Sequence, residues 1–486
     1  MGSLTIDELA TFCKRKGFIF RSSDVYGGFS GFWDYGPVGA ELFQNLKRDF
    51  WRWFVQKHDM MTGIEASVIS HPTTWVASGH VANFSDIAMI NTKTKQAMKV
   101  DKSEVKDFLL KNPEWKEQGE FNLMFTTQVG ALSPTKAYLR GETAQAMFMD
   151  FKLVQETARK QLPFGIVQVG RCFRNEIAPR DFVFRSREFT IGEFEFFIHP
   201  QEFSCSLLDA VHKKVSVQLL DAQTQEKGKE TLKQTTIGEM VKDKRLDEWH
   251  AFWLAEQLLW FDSLGLAEHI KVREHMKSAL SHYSSATFDM DYLYPFGSQE
   301  IAGNANRGQY DLTQHATHSQ QKLELFDEKT KEKVVPRVIE PTFGMDRVFL
   351  ALLCEGYEHQ KEKDTVVLHL PPRLAPFSVA VFPLTGKGKE EAIARKLVKE
   401  LRMEWNVAYD ESGSIGKRYA RQDEIGTPVC ITIDPDTEKT DKVTLRDRDS
   451  TKQITVTLTE VAEVIRQVIR GEKLVKLGNV VETRSK

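Results

Sequence analysis

Cysteine is scarce and scattered in this chain. Five occur in 486 residues, at Cys13, Cys172, Cys205, Cys354 and Cys430, and no two form a CxxC pair. That spacing suggests neither a disulfide framework nor a zinc knuckle. No structural zinc is expected, and a reducing, cytoplasmic setting fits best. Long apolar runs are missing as well. No uncharged stretch approaches the ~20 residues that span a bilayer. The first residues, MGSLTIDELATFCKRKGF, lack the apolar core of a signal peptide, and Ile6 stands where a myristoylation pattern needs Ser or Thr. A soluble protein with no membrane partner is expected. Charge of one sign is also absent, because 28% of residues are charged but the net charge is only -2. No basic excess advertises nucleic acid, although a local basic surface can bind phosphates on a neutral protein. There is no internal repeat and no low-complexity tract.

What is present is enough for more than one core. The chain is 41% hydrophobic, and its length predicts at least two domains. Ile6, Leu9, Ala10 and Cys13 recur at helical spacing and predict a short surface helix. Asp34–Lys57 carries Phe43, Leu46, Phe50 and Trp53 at the same spacing. Residues 205–285 are rich in charge and helix formers, and predict a helical insertion between two strand-rich blocks. Trp249, Trp253 and Trp260 in that segment are expected to pack. The clearest boundary is LHLPPRLAPFS, near 368–378, whose three prolines stiffen a connection. Domains of 1–370 and 371–486 follow. Beyond the boundary, strands at 378–384, 406–409 and 429–433 alternate with helices at 390–404 and about 415–424. That is a β-α-β-α-β unit of small-domain size. A hairpin carrying Val443, Leu445, Ile454, Val456 and Leu458 comes next, then a helix over about 460–470.

Residues 164–199 hold the densest chemistry. They read FGIVQVGRCFRNEIAPRDFVFRSREFTIGEFEFFIHP, two strand patterns around a loop with Pro179. Successive strand side chains point to opposite faces. Gln168, Arg174 and Glu176 therefore share one face of the first strand. Arg187, Phe189, Ile191, Glu193 and Glu195 share one face of the second, with Phe194 and Phe196 opposite. Such a face suits a nucleotide and a small ammonium-bearing ligand. Arginines fork onto phosphate oxygens, an aromatic ring stacks on a base and carboxylates grip an amine. The plainer reading is a solvated sheet face with cross-strand ion pairs, each worth ~0–1 kcal/mol. Taken alone, the hairpin leaves both open. A second string, RVIEPTFGMDRVFLALL, predicts a strand that passes through Glu340 to Gly344 and then a helix with Arg347 in its first turn, where backbone N–H groups favour anions.

Together these strings resemble the class II aminoacyl-tRNA synthetases. FRNE (Phe173–Glu176) with REF (Arg187–Phe189) looks like their motif 2, and EPTFGMDR (Glu340–Arg347) like motif 3. The helix opened by WDYGPVGAEL (Trp33–Leu42) is similar to motif 1, with Pro37 as its proline. ASGHVANFSD (Ala77–Asp86), RGETAQ (Arg140–Gln145) and GSQEIAGNANRGQYDLTQH (Gly297–His315) narrow the likeness to the homodimeric type of glycyl-tRNA synthetase.

The resemblance implies an α+β catalytic domain with a mixed, mainly antiparallel sheet and a C-terminal α/β anticodon-binding domain. It implies ATP-dependent attachment of glycine to its tRNA through a glycyl-adenylate. Glycine, ATP with Mg²⁺, tRNA and a second copy of the chain are the implied partners. By resemblance, Arg174 holds the α-phosphate and the glycine carboxylate, and Arg347 the γ-phosphate. Phe189 stacks on adenine beside Arg187 and Glu188, Glu176 contacts the adenine amino group, and Glu300 helps bind Mg²⁺. The implied ATP site further includes Asn175, Phe184, Arg185, Ser186, Ile301, Gly344, Met345 and Asp346. The implied glycine pocket is Glu142, Glu193, Glu340 and Thr342, with Phe189, Gly344 and Lys99 at its edge.

Departures from the family pattern are Gly141 for the usual Pro, Thr342 for the usual Ser, and Lys99 where many relatives have arginine, which offers a fork that lysine lacks. His80 is the one histidine expected near the site, as a participant or a structural hydrogen-bonding group. GKGKE (386–390) lacks the GK[ST] ending of a P-loop. SIGKRYARQDEIG (Ser414–Gly426) is either a solvated helix face or an RNA-contacting one. The rival readings are a non-catalytic nucleic-acid-binding relative, which loss of the motif arginines would mark, and another class II synthetase, which zinc ligands or a long coiled-coil arm would mark.

Overall fold

Apolar and polar residues alternate through 164–199, and that alternation becomes an antiparallel pair at the heart of the larger of two units. The computed structural model describes residues 4–100, 104–277, 286–362, 364–385 and 388–481. One unit comprises Arg21–Trp33 and Phe50–Leu350, the other Met1–Phe20, Asp34–Asp49 and Ala351–Lys486.

The larger unit is built on a nine-stranded sheet. In chain order its strands are β1 (Met61–Gly63), β2 (Phe164–Phe173), β3 (Glu188–Ile198), β4 (Ser216–Leu220), β5 (Lys233–Thr236), β6 (Ile270–Glu274), β7 (Ala286–Tyr294), β8 (Gly297–Gly308) and β9 (Arg337–Gly344). They lie side by side as β5-β4-β6-β7-β8-β9-β3-β2-β1. Only β1 with β2 and β4 with β6 run parallel, so the sheet is mixed and mainly antiparallel, as expected.

The helix Glu248–Ser263 covers one face of this sheet. Asp247 caps it by accepting from the Trp249 and His250 backbone N–H groups. The helix is apolar nearly all round, which is the pattern of a buried helix. Trp253 lies 4.7 Å from the Phe194 ring and 4.9 Å from Phe196, and Trp260 lies 5.3 Å from Phe343. The three tryptophans are core, as expected. Burial of each such ring contributes about 1.5–3 kcal/mol. Because Phe194 and Phe196 face this helix, Glu193 and Glu195 are turned to the other face of β3.

The segment expected to be a helical insertion, 205–285, has helices but also gives β4, β5 and β6 to the sheet. Its composition favours helix, but Val217 and Leu219 alternate with polar residues and pack inward once long-range pairing is made. Residues 278–285 of that segment lie outside the described residues. A separate antiparallel sheet joins Ser85–Asn91 to Ala97–Val100 and Trp115–Asn122.

In the smaller unit, Ile6–Lys16 is a helix with Leu9 and Cys13 buried, as their spacing predicts. Pro37 opens the helix Pro37–Trp51, where its missing N–H costs nothing. Gly39 is required for a close approach, since a Cβ there would lie 1.9 Å from the Phe18 carbonyl oxygen. The expected helical spacing breaks at its end. A π-helical stretch, Arg52–Gln56, which already belongs to the larger unit, inserts a wider turn, so Phe54 rather than Trp53 is buried.

The rest of the smaller unit carries a six-stranded sheet of β10 (Val379–Pro383), β11 (Val407–Tyr409), β12 (Val429–Ile433), β13 (Lys442–Asp447), β14 (Gln453–Thr457) and β15 (Asn479–Val480), ordered β11-β10-β12-β13-β14-β15. The first three are parallel and are linked by the helices Lys389–Leu401 and Ile415–Asp423. The β-α-β-α-β expectation, the hairpin after it and the helix Val461–Ile469 all match the sequence reading. In the string GKGKE, Gly386 and Lys387 lie outside the described residues. Among the described residues, no helix is long and apolar enough to cross a membrane.

Candidate active site

Register brings the sequence strings together. On β3, Glu193 lies opposite Gln168 of β2 on one side and Thr342 of β9 on the other. β2 ends at Phe173, so Arg174 and Glu176 stand in the loop beyond it rather than on the strand face. The chain bends there because the Arg174 N–H donates to the Arg187 carbonyl at 3.0 Å, closing the hairpin. Gly31 lets Pro179 in that loop come close. Its φ is +79°, and a Cβ on it would fall 2.8 Å from Pro179.

Between the loop, β3, β8 and β9 lies a cavity of about 100 Å³. Of the residues expected to hold ATP, Arg174, Glu176, Phe184, Arg185, Ser186, Phe189, Glu300, Gly344, Asp346 and Arg347 line it. Arg174 lies between two aromatic rings, 5.3 Å from the Phe84 centroid and 5.4 Å from Phe189. Its Nε donates to the Gly141 carbonyl at 3.1 Å. Among the described residues, no carboxylate pairs with its guanidinium, which leaves that charge for an anion. At the other end Arg347 lies over the Phe184 ring at 4.4 Å. Its Nη1 donates to the Glu300 carbonyl oxygen at 2.7 Å and to its Oε1 at 3.2 Å. Asp346 fixes the helix start against β3 by accepting from the Thr190 N–H at 2.5 Å. Glu176 is buried with Oε2 3.8 Å from Arg185 Nε, and its carbonyl accepts from Arg187 Nε at 3.0 Å.

Other expected residues support the cavity without lining it. Ile301 and Met345 are core. The Asn175 N–H donates to the Leu123 carbonyl at 2.8 Å. Glu188 pairs with Arg171 across the hairpin at 2.9 Å, so the plain ion-pair reading applies at that position. Lys99 lies on the separate three-stranded sheet and pairs with Asp86 at 3.1 Å, away from the cavity lining. Asp101, the end of the string that contains Lys99, lies outside the described residues.

Thr342 marks the inner wall of the cavity, and a chain of buried polar groups continues behind it. Its hydroxyl lies 2.8 Å from Glu193 Oε1 and 3.2 Å from Glu340 Oε1. Glu193 Oε2 accepts from Thr143 Oγ at 2.6 Å and from its N–H at 3.1 Å. Arg307 donates to Glu340 at 2.5 Å and makes two bonds of 2.8 Å to Asp311. Gln145 donates to Glu142 at 2.8 Å and to Asp311 at 3.3 Å. His80 closes the series with Nε2 3.3 Å from Glu142. Burial by itself would raise the Glu142 carboxyl, but His80, then Arg307 and Gln145, hold it well below the usual carboxylate range. Sequence reasoning missed Thr143, Gln145, Arg307, Asp311 and Phe84 as members of this network. The signal lay in strings already singled out, RGETAQ and NRGQYD, where Arg307 and Asp311 sit four apart at a strand-to-helix junction.

The arrangement offers one unpaired guanidinium held between rings, a second at the far end, and a walled group of carboxylates. It can orient two anions and one ammonium group. Comparison with known proteins agrees with that chemistry. A family model described as an anticodon binding domain matches residues 378–468. The chain is 38% identical over 499 residues to a glycine–tRNA ligase of Clostridium beijerinckii, covering 95% of this chain and 98% of that one. It is 39% identical over 491 residues to a glycine–tRNA ligase of Geobacillus thermodenitrificans, covering 94% and 96%, and 38% identical over 485 residues to one of Borreliella burgdorferi, covering 96% and 98%.

The chain belongs to the glycine–tRNA ligase family. That family charges tRNA with glycine and is part of class II of the aminoacyl-tRNA synthetases. Synthetases of this kind use ATP and Mg²⁺. The residues here fit such a cation. Glu300 presents a half-exposed carboxylate at the cavity, and Mg²⁺ typically takes one or two carboxylates together with substrate phosphates.

Proposed function

We propose that this chain activates glycine with ATP and transfers it to the 3′ end of its tRNA. The observation that supports the reading most is Arg174, a guanidinium without a carboxylate partner among the described residues, placed between the Phe84 and Phe189 rings in the cavity that Thr342 walls. Arg174 holds the α-phosphate and the glycine carboxylate together. That carboxylate is already a nucleophile at neutral pH, so activation needs alignment and charge stabilisation rather than a general base. Its oxygen attacks the α-phosphorus and pyrophosphate leaves; a ribose hydroxyl of the tRNA then attacks the activated carbonyl, losing its proton as the ester forms and the bond to AMP breaks. Phe189 stacks on adenine and Glu176 reads its amino group. Arg347 holds the γ-phosphate. Glu300 would help hold Mg²⁺, which would supply neutralisation of phosphate charge. Glu142, Glu193, Glu340 and Thr342 form the ammonium pocket. Residues 1–370 carry the chemistry, 371–486 the anticodon contact, and the chain works as a cytoplasmic homodimer. Glycine-dependent ATP–pyrophosphate exchange without tRNA tests the first step.

Two variants test the roles. Arg347→Ala removes a charge-assisted contact to the terminal phosphate, and the KM for ATP in that exchange should rise by about 10–100-fold. A KM within twofold of the parent would remove Arg347 from ATP binding. Thr342→Ala opens methyl-sized space beside Glu193 and Glu340. The preference for glycine over alanine in kcat/KM should fall by about tenfold, the ordinary worth of one methylene in a filled pocket. Equal preferences in parent and variant would mean that exclusion of alanine resides elsewhere.

A further inference from the structure

Glu195 has no place in the scheme above. It is 0% exposed, and neither carboxyl oxygen has a hydrogen-bond partner. It shares a face of β3 with Glu193, and oxygens of Glu193, Glu195 and Glu340 lie within 4.8 Å of one another. Arg307 is the guanidinium of this group, and it is already engaged by Asp311 and Glu340. The groups that face Glu195 are Glu193 on its own strand, Glu340 on β9, Arg307 on β8 and Asp311 on the helix Tyr310–Ser319. Glu142 and His80 lie one step further along the chain of hydrogen bonds. Among these five carboxyl groups Arg307 and His80 are the ion-pair partners, and His315, on the helix Tyr310–Ser319, stands beside them bonded to Gln145. An unpaired buried carboxylate costs several kcal/mol, and such a group holds a proton instead.

We propose that Glu195 stores the exchangeable proton of the ammonium pocket, and that the cation of bound glycine replaces it. The inference rests on the glycine-activating reading of the pocket. In the empty pocket Glu195 is a neutral acid. When the ammonium group settles against Glu193 and Glu340, positive charge arrives within reach of the third carboxyl. The Glu195 O–H bond then breaks, its electron pair stays on the carboxylate, and the proton passes to solvent. Burial raises both the Glu195 and the Glu340 carboxyls well above their ordinary value, but Glu340 is held by Arg307 and Thr342 whereas Glu195 has no partner, so the proton rests on Glu195. Glu195 is therefore a positioning residue, which acts on substrate through the charge of its two neighbours. The protonated form is the empty one and the ionised form the bound one, so affinity for glycine rises with pH until the empty pocket itself ionises.

The test uses the full-length protein in glycine-dependent ATP–pyrophosphate exchange from pH 6 to pH 9. The KM for glycine should fall as pH rises, by up to tenfold per pH unit while Glu195 of the empty pocket is protonated. Glu195→Gln, which keeps the shape and removes the proton, should flatten that slope. Calorimetric titration of the unmodified protein with glycine, in phosphate and in Tris at one pH, should count about one proton released per glycine. A KM for glycine independent of pH, or equal heats in the two buffers, overturns the inference and leaves glycine activation standing. A slope that survives in Glu195→Gln moves the proton to another group and also overturns it. No glycine-dependent exchange at any pH would remove the function and this inference together.

Discussion

Arg174→Ala is expected to lower kcat/KM for glycine-dependent ATP–pyrophosphate exchange by about 10²–10³-fold, the usual effect of removing one preorganised donor from a site of developing charge. Three features of its surroundings make the loss that large. Its guanidinium lies between the Phe84 and Phe189 rings, so the fork points one way before substrate arrives. Its Nε is already committed to the Gly141 carbonyl, which fixes rotation about the remaining bonds. No carboxylate among the described residues offsets its charge, so the full attraction is available to phosphate. The alanine variant should stay folded, because the side chain lines a cavity and carries no buried ion pair. Arg174→Lys should recover only part of the activity, since an ammonium group cannot bridge two anions with a planar fork. Exchange within tenfold of the parent in Arg174→Ala would place the activation chemistry elsewhere.

The second large effect concerns stability. Arg307→Met should destabilise the protein by about 3–5 kcal/mol, because removing one partner from a buried ion group leaves the others uncompensated. Arg307 is 3% exposed and holds Asp311 through two bonds and Glu340 through a third. Methionine fills similar space and contributes no charge. A thermal melt should show a lower midpoint by about 5 °C. Adding Asp311→Asn and Glu340→Gln removes the stranded charges, and the triple variant should regain much of the loss. That non-additivity is the signature of one coupled network. A single variant as stable as the parent would mean that the carboxyls are neutralised without Arg307.

Much of this site was legible in the sequence because it follows local rules. Alternation alone put Glu193 and Glu195 on one face and Phe194 and Phe196 on the other, and the helix Glu248–Ser263 covers the apolar face. The small C-terminal α/β unit was equally plain, since its strands and helices have short periods and clear turns. Other parts depend on partners far away in the chain. Arg307 lies near Glu340 only because Ala305 of β8 lies opposite Glu340 of β9. The strands β4, β5 and β6 sit in a segment of helix-forming composition and are fixed by long-range pairing, so local propensity misassigned them. Trp53 missed burial because of the wider turn at Arg52–Gln56, which no single residue announces. Glu195 was placed on the correct face, but only its enclosure, without a hydrogen-bond partner, shows that it differs from Glu193.

The central claim is that the carboxylate pocket beside Arg174 selects glycine for activation. The most direct test is ATP–pyrophosphate exchange with Mg²⁺ and without tRNA, with glycine, alanine, serine, threonine and proline supplied one at a time. The account predicts exchange with glycine and little with the others. Exchange supported by another of these amino acids in place of glycine, or by none of them in a folded sample, would contradict it.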